Sequence, residues 1–140
     1  MQSTLQPNPS AVTLTELDIH AIAETLVANR SLQTLGHTQA QGRQVEACVA
    51  KVFGVRHEAL RAATRGPAQV ALARQAAMYL CHTTLGFSLT CVGELFERDR
   101  TTVSHACRLV EDRRDDEGFD MLISCLERSV AGIVLLCGGV

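Results

Sequence analysis

Residues 88–110 read SLTCVGELFERDRTTVSHACRLV, and their spacing sets the expected fold. Ser88 has the side chain of a helix N-cap, and Leu89, Val92, Leu95 and Phe96 follow it at helical intervals. A tight turn, ERDR, comes next, and Thr101 opens a second helix that should run to about Asp115. Wound at roughly 100° per residue, this second helix places Thr101, Ser104, His105 and Arg108 on one face. Val103, Ala106, Cys107 and Val110 fall on the opposite face and can anchor it to a core. Gly93 sits where the two helices must approach closely. Helix, short turn and helix at this spacing make a helix-turn-helix. Small hydroxyls, an imidazole and a guanidinium on the open face suit base edges and phosphates in a major groove.

Outward from this motif the chain reads as helix after helix. Alanine and leucine outnumber the good strand formers, and no alternating run or hairpin dipeptide occurs, so the expected class is all-α. Residues 43–53 put Val45, Val49, Val52 and Phe53 on one face and stop at Gly54. A short helix follows at about 57–63. Gly66-Pro67 breaks the chain ahead of a long helix that reaches about Thr84, with Gly86 ending it. A last helix carries Phe119, Leu122, Ile123, Leu126 and Val130. Before the core, residues 1–12 are rich in Gln, Ser, Pro and Asn and read as a lead-in. One helix is expected after Thr13 and should fade by Gly36, with a linker over 35–42. The expected organisation is a flexible segment over 1–41, a helix-turn-helix domain over 42–128 and an apolar tail over 129–140. That tail, SVAGIVLLCGGV, has twelve residues, whereas a membrane span needs about twenty. It should pack on the domain or meet a second copy of the chain.

Charge is unevenly spread. The formal net charge is −2, yet residues 42–110 hold nine Arg or Lys against five acids, and 111–128 hold three Arg against seven acids. A basic middle and an acidic flank are hidden in the sum, and phosphates respond to the local field. The acidic run EDRRDDEGFD reads either as a solvated helix end or as a protein-binding surface. Six cysteines include no CxxC pair, so a zinc ribbon is not expected; free thiols in a reducing cytoplasm are, since no secretory signal opens the chain. His82 beside Cys81 lacks an acid or second ligand at helical spacing. No nucleophile–base pair, metal set or phosphate loop is found, and no cofactor is expected. The single lysine, Lys51, follows Ala50, which excludes a P-loop.

Three segments, ARQAAMYL (73–80), SLTCVGELF (88–96) and RDRTTVSHACRLVE (98–111), closely resemble the DNA-binding domain at the C-terminus of the bacterial replication initiator DnaA. The resemblance covers about residues 44–128, including FGV at 53–55 and Leu60-Arg61, and implies a stand-alone domain without the DnaA motor. It implies that Asp99, Arg100 and Thr101 read bases in the major groove. Thr102, His105, Arg74 and Gln75 match phosphate-contacting positions, Leu89 and Thr90 touch the DNA edge, and Arg65 is the nearest match to a minor-groove arm. Arg98, Ser104 and Arg108 complete the expected DNA-binding set. Three departures stand out: Arg100 replaces the usual His, Glu97 replaces glycines in a turn shorter by one residue, and the basic loop keeps only Arg61 and Arg65. The implied partner is duplex DNA carrying a DnaA-box-like site, in the nucleoid, and the implied role is control of replication initiation or transcription. A module that engages replication or transcription proteins without DNA is the competing expectation.

Overall fold

The computed structural model describes the backbone of residues 16–137 and the side chains of residues 19–21, 23–24 and 36–133. In chain order it contains α1 (Glu16–Phe53), a 3-10 helix (His57–Arg61), α2 (Ala68–Thr83), α3 (Leu89–Phe96), α4 (Arg100–Arg113) and α5 (Glu117–Cys137). No strand occurs among the described residues. The chain is all-α, and the helix boundaries around the turn motif lie within two residues of the sequence expectation. None of the described helices is long and apolar enough to cross a membrane.

Two compact units divide the chain, residues 1–36 and 37–140. Within the first, His20 and Glu24 sit one turn apart on the exposed surface of α1, 3.5 Å from each other. Such a pair adds little stability. The stretch 35–42, expected as a linker, is helical instead. One glycine costs a helix only about 1 kcal/mol, and the intervening Gln, Ala and His residues are adequate helix formers. Gly42 also has a packing reason, because a Cβ there would lie 3.1 Å from Leu95 Cδ1.

The second unit is built around α2. Ala73, Ala76, Ala77, Met78, Leu80 and Cys81 are all buried, so this helix is covered nearly all round. Its alanines leave room for close neighbours: Val45, Val49 and Phe53 of α1, Val92 and Phe96 of α3, and Val103, Ala106 and Val110 of α4 complete the same cluster. Val52 is the exception to the expected α1 stripe and is 46% exposed. Helix α1 ends as the sequence implies, with Gly54 at φ +66° and Val55 N–H returning to the Ala50 carbonyl at 3.0 Å.

α5 is fastened by Arg114. Its guanidinium donates to Asp120, Glu127, Ser124 Oγ and the Tyr79 hydroxyl, and Tyr79 in turn donates to Glu111 at 2.6 Å. The Asp120 hydrogen bond above all holds the Arg114 pKa above its ordinary value. Asp116 accepts the Phe119 N–H at 3.1 Å. Part of the acidic flank is therefore internal bracing between α2, α4 and α5. Val130 is buried, while the side chains of 134–140, on which the expected tail contact turns, lie outside the described residues. Cys48, Cys81, Cys91, Cys107 and Cys125 are free, and burial pushes the Cys81 thiol far up, which leaves it unreactive.

Candidate nucleic-acid interface

One side-chain cap and two backbone features shape α3 and the turn that follows it. Ser88 Oγ accepts the Cys91 N–H at 3.1 Å and starts α3. Glu97 ends it in the left-handed region, at φ 53° and ψ 48°. The Arg98 N–H then donates to the Gly93 carbonyl at 2.8 Å. A Cβ at Gly93 would stand 2.5 Å from the Arg98 carbonyl oxygen, a backbone atom, so only glycine fits. Glu97 is the one non-glycine described with positive φ. The left-handed conformation costs such a residue about 1 kcal/mol. Glu97→Gly is therefore expected to raise the melting temperature by a few degrees. Thermal denaturation checks this, and a lower melting temperature would show that Glu97 makes a compensating contact.

Asp99 stands at the N-cap of α4 in extended conformation, yet its carboxylate makes no capping bond. The cap position is filled while the side chain stays exposed and available. Along α4 the two expected faces separate except at Ser104 and Cys107, which are both half-buried. Val103, Ala106 and Val110 are buried, whereas Arg100, Thr101, Thr102, His105 and Arg108 are exposed and Ser104 is half-buried. Cys107 is half-buried against the core. At the first turn of α3, Leu89 leans on the core and Thr90 is exposed.

Between α2, α4 and the segment before α2 lies a cleft of about 360 Å³. Arg65, Arg74, Gln75, Arg98, Thr102 and His105 line it, together with Ala63, Ala71, Met78 and Ala106. Six of the expected contact residues, drawn from three separate stretches of sequence, thus converge on one concavity. Leu89, Thr90, Asp99, Arg100, Thr101, Ser104 and Arg108 lie outside it.

Arg74, expected at a phosphate-contacting position, is engaged inside the fold as well as lining the cleft. It is only 4% exposed and does not extend as a free arm towards a phosphate. Its Nε donates to the Leu60 carbonyl at 2.7 Å, Nη1 to that of Arg65 at 3.1 Å, and Nη2 to that of Ala59 at 2.9 Å. Burial, and secondarily the charge of Arg98, lower its pKa. The physical reason is that the 59–65 segment turns several carbonyls towards α2, and a guanidinium is the donor fork that can reach several at once. Arg98 behaves in part likewise, with Nη2 on the Ala62 carbonyl at 2.6 Å.

Among the described residues some arginines elsewhere are paired with carboxylates, while Arg43, Arg113 and Arg128 are not. Arg61 is paired with Glu46 and Arg114 with Asp120 and Glu127. Arg65, Arg74, Arg98, Arg100 and Arg108 have no carboxylate within salt-bridge distance among the described residues. Cations at a cleft without internal counter-charge leave a positive local field.

Sequence reasoning missed Glu46. Its carboxylate is buried and accepts Arg61 Nε at 2.8 and 3.0 Å, with His57 Nε2 at 2.9 Å. This pairing fastens the 3-10 helix to α1. The only sequence signal was its place on the stripe between Val45 and Val49. His82 Nδ1 contacts the Phe87 carbonyl at 2.7 Å, a structural role. Among the described residues no His, Cys, Asp or Glu group is arranged to hold a metal.

The fold and the cleft define a helix-turn-helix domain with an open, cationic second helix. Residues 43–110 match the family described as the bacterial DnaA protein helix-turn-helix. The likeness is to that helix-turn-helix domain and speaks for those residues alone. Over 118 residues the chain is 34% identical to the chromosomal replication initiator protein DnaA 1 of Protochlamydia amoebophila, spanning 81% of this chain and 26% of that protein. It is 33% identical over 119 residues to the DnaA of Burkholderia multivorans, spanning 84% of this chain and 22% of that protein. The chain therefore spans about a quarter of the length of these curated relatives. A crystal structure of a DNA replication initiation factor superposes with a TM-score of 0.68 at 25% identity, covering 84% of this chain and 38% of that one. The replication initiator DnaA bound to AMPPCP and single-stranded DNA superposes at 0.62 with 28% identity, covering 74% and 31%.

Proposed function

We propose that this chain binds double-stranded DNA with sequence preference and acts in the control of replication initiation, or of transcription, at a DnaA-box-like site. The observation that carries this reading is the convergence of Arg65, Gln75, Arg98, Thr102 and His105 on one cleft beside the exposed start of α4. In this reading Asp99, Arg100 and Thr101 enter the major groove. Thr102, His105, Gln75 and Arg108 meet phosphates, and Arg65 reaches the adjacent minor groove. Leu89 and Thr90 touch the backbone edge, and Ser104 faces the groove floor. Arg74 contributes by shaping the loop. The claim of Arg114 on Asp120 and Glu127 offsets part of the acidic flank, which favours duplex binding over a purely protein-directed role.

The roles of these residues can be separated by substitution. Arg100→Ala and Thr101→Ala are expected to reduce discrimination between the preferred duplex and random duplex by about 10- to 100-fold each. Binding to random duplex should be much less affected, because phosphate contacts carry no sequence information. Competition titrations with both duplexes measure this. Unchanged discrimination in both variants would show that the start of α4 does not read bases.

A further inference from the structure

We infer that Arg98 is a positioning residue that ties the loop carrying Arg65 to the turn of the helix-turn-helix, so that both elements meet one duplex in a fixed register. The inference rests on the reading of this face as a duplex-binding surface.

Residues 63–67 expose every side chain and lie in no helix. A segment with so little burial belongs, on general grounds, to the least stable part of a fold. Its neighbouring carbonyls are nevertheless claimed. Arg74 takes those of Ala59, Leu60 and Arg65, which fixes the loop to α2, the helix it leads into. Arg98 takes that of Ala62, across 36 positions of sequence, at 2.6 Å. Among the described residues no other hydrogen bond joins this loop to the helix-turn-helix.

The guanidinium of Arg98 is fixed at its own end as well. Nη1 donates to the carbonyls of Phe96 and Glu97, each at 3.2 Å. One planar fork thus bridges the end of α3 and the loop, and the next residue, Asp99, is the N-cap of α4. With no carboxylate competing for it, the cation is held by carbonyl oxygens alone, and charge-assisted bonds of this kind are the stronger ones. Arg65 presents its charge from the braced loop, and Arg100 presents its own two residues beyond the brace. Without Arg98 the two would be joined only through the core, and the loop would have to be ordered during binding, which weakens the complex.

The test uses the full chain with Arg98→Met, which keeps the aliphatic stem and removes the donors, and Arg98→Gln, which keeps one donor. Amide exchange of Ala62, the loop residue whose carbonyl Arg98 holds and whose N–H donates to the Ala59 carbonyl at 3.3 Å, is read without DNA, against α2 amides of the same protein as the internal standard. Duplex affinity is read for Arg65→Ala in the wild-type and Arg98→Met backgrounds. Loop exchange in Arg98→Met is expected to rise by about tenfold or more while α2 is unchanged. Arg65→Ala is expected to weaken binding about fivefold in the wild type and less than twofold in Arg98→Met, because coupled residues are not additive. Arg98→Gln should restore part of both. The inference is overturned if loop exchange does not change, if α2 loosens equally, or if the two affinity losses simply multiply. Should the wild-type chain bind no duplex, the proposed function fails, and the exchange result alone decides the role of Arg98.

Discussion

Duplex affinity is expected to fall by roughly 100- to 500-fold when monovalent salt rises from about 50 to about 200 mM. Each phosphate neutralised by a cation releases condensed counterions, giving a log–log slope near −0.9 per contact. Arg65, Arg98, Arg100 and Arg108 have no carboxylate partner among the described residues, so each displaces counterions, whether it meets a phosphate or lies in a groove beside one. About four to five effective contacts give the stated fall. The formal net charge of −2 would suggest no such dependence, because the sum includes an acidic flank partly neutralised by Arg114. Fluorescence anisotropy titrations at several salt concentrations measure the slope. A slope near zero would rule out phosphate binding by this face.

Arg74→Ala is expected to destabilise the free protein by about 3 kcal/mol and lower its melting temperature by about 10 °C. Removing the guanidinium orphans the carbonyls of Leu60 and Arg65 and leaves that of Ala59 with only the Ala62 N–H at 3.3 Å, and each buried unpaired group costs about 1–3 kcal/mol, reduced where water can enter. Arg74→Lys should restore little of this, since a single ammonium cannot reproduce the fork. Thermal melts in the absence of DNA are decisive. A variant that melts like the wild type but binds duplex weakly would return Arg74 to the phosphate role that its sequence position suggested.

The legible parts of this molecule were those governed by local rules. Ser88 caps α3, Gly54 turns the end of α1, and Val103, Ala106 and Val110 repeat at the helical period, so the helices could be placed from spacing alone. Gly93 could be singled out because the turn of the motif leaves no room for a side chain. What could not be read were polar partners distant in sequence. Glu46 meets residues 11 and 15 positions away, Arg74 meets carbonyls 9 to 15 positions away, and Arg98 meets one 36 away. A charged residue on a helix reads as solvated or ligand-directed until the backbone that it braces is known. The helical course through 35–42 was hidden for a different reason. Glycine-rich composition signals a break, but packing of Gly42 against Leu95 supplies a reason for glycine inside a helix.

The helix-turn-helix is read here as a sequence-selective duplex binder whose preference is set partly by Arg100, the first residue of α4. Arginine offers a rigid pair of donors matched to guanine O6 and N7, whereas neutral histidine offers one donor and one acceptor. Glu97, in the left-handed region, shapes the turn that leads into Arg100. Selection from random duplexes by the wild type and by Arg100→His tests both points at once. The wild type should enrich a DnaA-box-like motif with at least one altered position, a G opposite Arg100. Arg100→His should lose that preference by about tenfold or more. Recovery of no motif by either protein would contradict sequence-selective binding, and recovery of one identical motif with equal strength by both would remove Arg100 from the recognition surface.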